Sequence, residues 1–521
     1  MKGASTSARH RSSTPLFHWW LAGVALALLV PALILATASG FNGLYGQDPY
    51  AYFDYSTGPL RDSISAFEPP PPFFWPPGYP FLAALLSFAL GRVPLAGQIV
   101  SLAAGALVPV FTALFAREIW DDIDSSSAMP IIAGLLSAFT GQLWLSSIVV
   151  MSDTTGLAAA TAGMWCIARF GRQSDSQHRS QLRWLALAAA AMSYAVLTRW
   201  AYAIVAIPCT GYALTVLGKN TVRRAVALAS VASAIVIVVL SPVLPALLQV
   251  LFGVPEPGHT VAFAGNLQIH SWNPVNAFRR EFVTPDGVLQ HRLLNGVYYA
   301  AAPAHPMYFT PFVAPLVLVG AWRVIRSRTR VITWLVLGWV LAIYSFHAGD
   351  PYQNLRFTLA YLPPLAILGG IGAAWSGRML RQRHRWIPII GGVSALAVMS
   401  AGGATRIMRF TERVEADHTT VRWVEERTGP NARVFAFELT STLQHEGRLE
   451  THELFLLTPE AAADLLDDGV STYLLVDVED IRTQWRELAP YKMYAWLDSE
   501  VGLTEVGRHR NYTLFRVGPG L

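Results

Sequence analysis

The sequence has few charged residues and almost no cysteine. Asp, Glu, Lys and Arg make up 14% of its 521 residues, whereas they make up about a quarter of an ordinary soluble protein. Its two cysteines, Cys166 and Cys209, both lie in apolar stretches, so the sequence offers neither a disulfide framework nor the cysteine spacing of a zinc site. Apolar residues amount to 53% of the chain. This composition indicates a protein that is largely embedded in a membrane.

Long apolar runs recur from Trp19 to Gly402 and are nearly free of charged residues. Most have the length, about 17–25 residues, that crosses roughly 30 Å of hydrocarbon. We predict a polytopic α-helical membrane protein with about eleven transmembrane helices, at Trp19–Ala38, Leu95–Phe115, Met129–Val150, Thr154–Phe170, Trp184–Leu197, Ala201–Leu217, Ala225–Leu251, Met307–Trp322, Val331–Phe346, Thr358–Trp375 and Trp386–Gly402.

The basic residues are unevenly distributed between the two sides of this topology. With a cytoplasmic N-terminus, nineteen Lys and Arg residues lie on the cytoplasmic side of the membrane domain and seven on the opposite side. Cytoplasmic loops are enriched in Lys and Arg, so this orientation is favoured, and the pI of 9.2 reflects topology and not nucleic-acid binding. Ala36-Thr37-Ala38 resembles a signal-peptidase site, but the preceding run is long for a signal peptide, which favours an uncleaved anchor. The Ala- and Arg-rich composition favours a bacterial plasma membrane.

From residue 404 onward, charge is dense and no apolar run is long enough to span a membrane. We therefore divide the chain into a transmembrane domain, residues 1–403, and a soluble domain, residues 404–521, which an odd number of spans places outside the cytosol. Helix and strand patterns alternate in the second part, which favours a small three-layer α/β domain. We predict helices near Thr419–Thr428 and at Pro459–Asp468 and Ile481–Leu488, strands at Arg433–Glu438 and Thr472–Val478, and a closing hairpin of Leu503–Gly507 with Tyr512–Val517.

Carboxylates, isolated arginines and aromatic residues concentrate in the segments predicted to face away from the cytosol. An aromatic-rich loop after the first span holds Asp48 and Asp54, and the proline run Pro69–Pro72 precedes a short interfacial helix, Phe81–Leu90. Asp153 lies at the start of a span, where helix capping would also explain it. Ionisable groups at a membrane boundary are candidates for function. The arginines on this side include Arg61, Arg199, Arg279, Arg280 and Arg356.

These residue types together fit a lipid-linked phosphosugar. Arginine binds phosphate through a planar fork of donors, and aromatic side chains such as Tyr50 and Tyr52 offer faces on which sugar rings stack. A carboxylate can take a proton from an attacking hydroxyl group. Each feature is common by itself, and only their convergence on one side of the membrane points to a site.

The order of several short motifs resembles that of the GT-C superfamily of polytopic membrane glycosyltransferases, most closely its protein-mannosyltransferase and aminoarabinose-transferase-like branch. The likeness covers roughly residues 15–375 and is carried by Asp48-Pro49-Tyr50-Ala51-Tyr52, Trp75-Pro76-Pro77-Gly78-Tyr79-Pro80, Met151-Ser152-Asp153, Leu197-Thr198-Arg199 and Asn354-Leu355-Arg356-Phe357. It implies the transfer of a sugar from a polyprenyl-phosphate donor, with inversion, to a lipid, glycan or protein acceptor.

The resemblance also implies roles for individual residues. Asp48 matches the acidic residue of the first outward loop, which acts as general base in the family. Relatives often have Asp-Glu at this motif, whereas Pro49 follows Asp48 here, so the second carboxylate stays open between Asp54 and Asp153. By position, the candidates for the donor phosphate are Arg199 and Arg356. Residue type and side of the membrane, and not the resemblance, indicate further candidates for substrate contacts, which are Arg61, Tyr50, Tyr52, Arg279 and Arg280.

No cofactor is implied, and the pair His347 and Asp350 has no apparent third ligand, so no metal site is predicted. Two other functions are open. A transporter or flippase should carry charged residues within its spans, often with inverted repeats, and the sequence shows neither. An inactive scaffold of the same ancestry would retain Asp48 without turning over substrate.

Overall fold

The structure is a computed structural model that describes residues 15–120, 128–173, 178–243, 272–327, 333–382, 384 and 386–518. The end of the predicted span Ala225–Leu251, the start of Val331–Phe346, and parts of several basic loops lie outside the described residues.

Up to residue 428, the described part of the chain is mostly helical. The α-helices are α1 (Pro15–Ser39), α2 (Asp48–Thr57), α3 (Pro59–Ala66), α4 (Gly78–Leu90), α5 (Pro94–Trp120), α6 (Met129–Ala138), α7 (Gly141–Ile148), α8 (Asp153–Gly171), α9 (His178–Thr198), α10 (Tyr202–Leu217), α11 (Val222–Leu240), α12 (Asn295–Ala301), α13 (Thr310–Arg326), α14 (Gly338–Gly349), α15 (Leu362–Arg381) and α16 (Ile387–Thr428). Shorter helical turns occupy Pro274–Phe278, Ala302–Ala304, Thr333–Leu337 and Leu355–Tyr361, and a hairpin of β1 (Glu281–Thr284) and β2 (Gly287–Gln290) precedes α12.

Every predicted span coincides with helical structure in the described residues, but the spans differ in length and polarity. Among the described residues, five helices are long and apolar enough to cross a membrane, within α1, α5, α11, α16 and the stretch Leu355–Arg381. The pair α6 and α7, bent by 56° at the break between them, has the composition of a sixth span or of a re-entrant loop. The chain is thus a multi-pass helical membrane protein, and the number of eleven spans stays a prediction.

The bundle is organised around a buried central helix. α15 packs against α6 and α13, and glycines allow the close approach, because a Cβ on Gly320 or Gly372 would collide with the backbone of the facing helix. By contrast, α11 is largely exposed along its length, as expected of a helix that faces lipid. The turn Leu355–Tyr361 leads directly into α15, so the packing of α15 fixes the position of the turn.

The C-terminal region is the expected three-layer α/β domain. Its helices are α17 (Thr440–Glu446), α18 (Pro459–Leu466), α19 (Val478–Thr483) and α20 (Ala489–Trp496), and its strands are β3 (Arg433–Ala436), β4 (Glu450–Glu453), β5 (Thr472–Asp477), β6 (Leu503–His509) and β7 (Tyr512–Val517). The strand order is β4-β3-β5-β7-β6, with β3 parallel to both β4 and β5 and the closing hairpin antiparallel. Because side chains alternate along a strand, Phe435 and Leu474 reach one apolar layer, whereas Val434 and Leu475 reach the other.

One local prediction is confirmed only in part. The helix expected near Thr419–Thr428 is the end of α16, a single helix of 42 residues that begins in the membrane part. It contributes Ile407 and Val414 to the core of the bundle and Val424 to the core of the sheet domain, so it connects the two mechanically. The division of the chain at residues 403 and 404, which falls inside this helix, stays a prediction. The sequence also did not predict α17, α20 or β4.

Candidate active site

Helix ends predicted to face the same side of the membrane meet at one place in the structure. The loop after α1 is fixed there by the buried Gln98 of α5, whose amide donates to the carbonyls of Phe41 and Ile148, at 3.2 and 2.9 Å. The backbone N–H of Val150 donates to the carbonyl of Gly43 at 3.0 Å. The loop after α1 is therefore held against the segment that connects α7 to α8.

Asp48 is the first residue of α2. The sequence predicts a loop at this position, and that prediction is wrong. Pro49 fits the first turn of a helix, where its missing N–H would have no partner in any case, and an acidic residue there is stabilised by the helix dipole. Ten residues form the helix, and its aromatic side chains make contacts on both sides. Because Asp48 lies in the first turn, the backbone of the helix fixes the direction of its side chain.

Four charged side chains form a chain of ion pairs. Nη2 of Arg356 lies 3.2 Å from Oδ2 of Asp48, and Nε of Arg356 lies 3.7 Å from Oδ2 of Asp153. The other oxygen of Asp153 accepts a hydrogen bond from Nη1 of Arg199. The structure thus brings together four of the predicted residues from four different helix ends.

The two carboxylates of this cluster differ in their access to water. The side chain of Asp153 is 5% exposed and that of Asp48 is 37% exposed. Ser152 makes no side-chain capping bond to α8, and the Asp153 carboxylate is engaged by the two arginines. The Asp153 carboxylate is therefore shielded between the two guanidinium groups, whereas the Asp48 carboxylate is accessible to solvent.

Aromatic side chains surround the cluster. The guanidinium groups of Arg199 and Arg356 lie 5.5 and 5.6 Å from the ring centre of Phe357, a cation–π arrangement. Tyr52, one helical turn after Asp48, stacks on Trp75 with ring centres 5.0 Å apart. Its hydroxyl lies 3.0 Å from Oγ of Ser152. Tyr52 thus ties α2 to the residue that precedes Asp153.

A cavity of about 130 Å³ opens beside Asp153 and Arg356. Its polar wall includes Gln142 and Ser146 from α7, with the Gln142 amide 3.3 Å from the Ser146 hydroxyl. Tyr45 and Phe410 cover another side, with their rings edge to face at 4.6 Å. Burial raises the pKa of the Tyr45 hydroxyl, while Arg356 acts in the opposite direction. The cavity combines one charged end with neutral hydrogen-bonding groups.

The other predicted residues lie apart from this cluster. Asp54 and Tyr50 face the C-terminal domain, where both contact His445. Arg61 lies on α3 with its guanidinium 5.1 Å from the ring centre of Phe88. Arg279 and Arg280 lie at the start of the β1–β2 hairpin and are exposed.

No group of three or more His, Cys, Asp or Glu side chains is arranged to hold a metal ion among the residues that the structure describes. His347 is buried between Tyr299 and Phe357, with ring centres 5.4 and 5.3 Å away. It packs as an aromatic ring directly behind the arginine cluster.

Sequence reasoning missed several residues at the site. Gln142 and Ser146 carry a weak signal, because polar side chains inside an apolar span need partners. Tyr45 precedes Asp48 by three residues but belongs to no motif. Phe410 and His445 lie far along the chain, and nothing in their own neighbourhood marks them.

The chain has the fold of solved GT-C membrane glycosyltransferases, and with a family match this confirms the resemblance seen in the motifs. Residues 95–258 match the family described as dolichyl-phosphate-mannose-protein mannosyltransferase. No curated protein matches the chain by sequence.

Solved structures share the fold over nearly the whole chain. ArnT from Cupriavidus metallidurans in the apo state is similar over 98% of this chain and 100% of its own, with a TM-score of 0.62 and 14% identity. Its complex with undecaprenyl phosphate has a TM-score of 0.61 at the same identity and coverage. The oligosaccharyltransferase AglB from Archaeoglobus fulgidus, in complex with an inhibitory peptide and a dolichol-phosphate, is similar over 93% of this chain and 71% of its own, with a TM-score of 0.55 and 13% identity.

Proposed function

We propose that the chain is a membrane glycosyltransferase that moves a sugar from a polyprenyl-phosphate donor to an extracytoplasmic acceptor, with inversion and with Asp48 as general base. The observation that carries this proposal is the linear arrangement Asp48–Arg356–Asp153–Arg199 beside a cavity. It combines a water-accessible carboxylate with two guanidinium groups that a buried carboxylate holds in place.

The proposed reaction uses the two ends of this arrangement differently. Asp48 accepts the proton of an acceptor hydroxyl or amine, and the freed electron pair attacks the anomeric carbon from the side opposite the phosphate. The bond between that carbon and the phosphate oxygen breaks, and the polyprenyl phosphate leaves with the bonding electrons. Arg356 and Arg199 stabilise the charge that develops on the leaving phosphate.

Arg356 also links donor binding to the state of the base. It pairs with Asp48 at 3.2 Å. A donor phosphate is a competing partner for the same guanidinium, so its arrival releases Asp48 to accept a proton. The base would then be free to accept a proton only when a donor is present.

Different observations support the lipid part and the sugar part of the proposed donor. The complex of ArnT with undecaprenyl phosphate supports a polyprenyl phosphate of this kind as the leaving group. The 130 Å³ cavity lined by Gln142, Ser146 and Asn354 supports a monosaccharide next to Arg356. The acceptor is a lipid, a glycan or a protein, and the excess of basic residues on the other side of the bundle supports an extracytoplasmic site in the plasma membrane.

A transfer assay with defined donors tests the proposal. Purified protein in lipid would be supplied with undecaprenyl-phosphate pentoses and hexoses carrying a radiolabelled sugar, with a membrane extract as acceptor. The proposal expects release of undecaprenyl phosphate and label in an acceptor. Binding without release from any donor would favour an inactive scaffold, and movement of intact donor across a vesicle membrane would favour a flippase.

A further inference from the structure

The helix that begins with Asp48 makes contact on two sides with different parts of the protein. α2 has ten residues, and a helix of this length is not stable by itself in water. Residues three and four positions apart share one face of a helix. Gln47, Tyr50 and Asp54 follow this spacing on one side, and Asp48, Tyr52 and Tyr55 follow it on the other.

The side with Asp48 contacts the membrane bundle. Tyr52 lies against Trp75 and Ser152, as described above, and Tyr55 stacks on Phe73 with ring centres 4.0 Å apart and planes at 3°. Together with the packing of α2 against α3 and α4, these contacts fix one edge of the helix.

The opposite side contacts the sheet domain, chiefly through His445 of α17. The His445 ring stacks on Tyr50, with ring centres 4.8 Å apart and planes at 24°. Nε2 of the same ring lies 3.0 Å from Oδ2 of Asp54. A neutral imidazole with its proton on Nε2 and a charged imidazolium can both donate this bond. Nearby, the amide of Gln47 lies 3.4 Å from Oε2 of Glu453 on β4.

We propose that His445 is a positioning residue through which the sheet domain holds α2, and with it Asp48, at the distance from Arg356 that the transfer reaction needs. This inference rests on the proposed role of Asp48. It gives the C-terminal domain a part in the reaction, since a misplacement of about 1 Å at a reacting group costs on the order of a hundredfold in rate. It also assigns Asp54 to the domain contact and leaves Asp153 as the second carboxylate of the site.

The hydrogen bond between His445 and Asp54 can be removed apart from the ring contacts with Tyr50 and Phe53. His445→Phe keeps a ring against both but cannot donate to Asp54, and His445→Ala removes all three contacts. His452→Ala is the matched control, because His452 lies in the same domain and pairs with one carboxylate, Glu450 at 3.0 Å, while its described ring contact is with Phe435 and not with α2.

The experiment compares turnover, binding and local order in the full-length protein in lipid. We expect His445→Ala to lower kcat about tenfold, His445→Phe to recover part of it, and the affinity for undecaprenyl phosphate to stay within twofold in both. Hydrogen exchange of residues 48–57 should rise in His445→Ala, and His452→Ala should match the wild type in every readout. Unchanged exchange of residues 48–57 in His445→Ala overturns the proposal, as does a loss of donor affinity equal to the loss of kcat.

The outcome is separable from that of the proposed function. If the wild-type protein transfers no sugar, the proposed function fails, but hydrogen exchange of α2 still shows whether His445 holds the helix. Should His445→Ala not fold, Asp54→Asn with His445→Phe carries the same comparison, because together they weaken the contact while retaining the packing of the ring.

Discussion

Arg356 pairs with Asp48 at 3.2 Å, although 308 residues separate them in the chain. The pair joins the first short helix after α1 to the turn that leads into the central helix α15. Its importance lies in the competition that it sets up, because a phosphate and the Asp48 carboxylate would use the same guanidinium.

The planar guanidinium group of Arg356 should contribute to phosphate binding beyond the effect of its positive charge. Arg356→Lys keeps a positive charge but loses the planar pair of donors that matches a phosphate. We expect the affinity for undecaprenyl phosphate to fall about tenfold, measured by titration of the purified protein with the lipid in detergent. Arg92→Lys is the control, since Arg92 forms an exposed pair with Asp62 away from the cluster. Equal affinities in wild type and Arg356→Lys would contradict the phosphate assignment.

Asp153 should oppose phosphate binding while it organises the arginines. Asp153→Asn removes a negative charge beside both guanidinium groups, so we expect undecaprenyl phosphate to bind roughly three- to tenfold more tightly, because like charges repel strongly in a site of low polarity. Turnover should fall, since Arg199 and Arg356 are no longer held in place. If Asp153 only stabilised the start of α8, the variant would lose thermal stability without any gain in lipid affinity.

The contact between α7 and α16 should be sensitive to a single methyl group. A Cβ on Gly403 would lie 2.8 Å from the Cα of Gly141, next to the cavity wall that carries Gln142. Gly403→Ala should therefore destabilise the protein by about 1–3 kcal/mol, the usual cost of overpacking, seen as a lower midpoint of thermal unfolding. Gly391→Ala on the same helix has open space around its Cβ and should not lower the midpoint. A similar loss in both variants would contradict the close packing.

The sheet domain should lose stability as the pH rises through neutrality. Burial raises the pKa of Glu438 to about 7, with Asp480 adding to the effect. The folded state therefore binds more protons than the unfolded state between pH 4.5 and 7, so stability falls over that interval. Glu438 as a whole residue is exposed although its carboxyl group is largely shielded, and screening by solvent limits the change to less than about 1 kcal/mol.

Glu438→Gln tests this assignment in the full-length protein. The variant should unfold at a higher temperature than the wild type at pH 8 and at the same temperature at pH 5. Glu460→Gln, on the exposed first turn of α18, should follow the wild type at both values. An equal difference between Glu438→Gln and the wild type at the two pH values would show that Glu438 does not titrate in this range.

Much of the architecture could be predicted from the sequence, for reasons that particular elements make clear. Apolar runs predicted the membrane helices, because a helix that crosses hydrocarbon needs apolar side chains. Alternating apolar and polar residues predicted β3, β5 and the closing hairpin. The onset of charge at residue 404 predicts a domain boundary, but charge does not interrupt a helix, and α16 continues through it. α2 escaped prediction because its aromatic residues are shared between two partners and give no single apolar face.

The site was predictable only in part. The four charged residues of the cluster each lie near the end of an apolar run. The predicted topology therefore assigns all four to one side of the membrane: Asp48, Asp153, Arg199 and Arg356. The contacts of Phe410 and His445 depend on how α16 and α17 pack against segments several hundred residues earlier. Neither hydropathy nor a local motif carries that information, because it arises only from the packing of distant elements.

The most direct test of the account is the rate of sugar transfer by Asp48→Asn under saturating donor. The change is nearly isosteric and removes the proton acceptor, so we predict a fall in kcat of about 10²–10⁴-fold, the usual contribution of a general base. Undecaprenyl phosphate should bind at least as well as in the wild type, because Arg356 loses a competing partner. Asp62→Asn, on the neighbouring helix α3, should leave both values unchanged. Full turnover by Asp48→Asn would contradict the central claim.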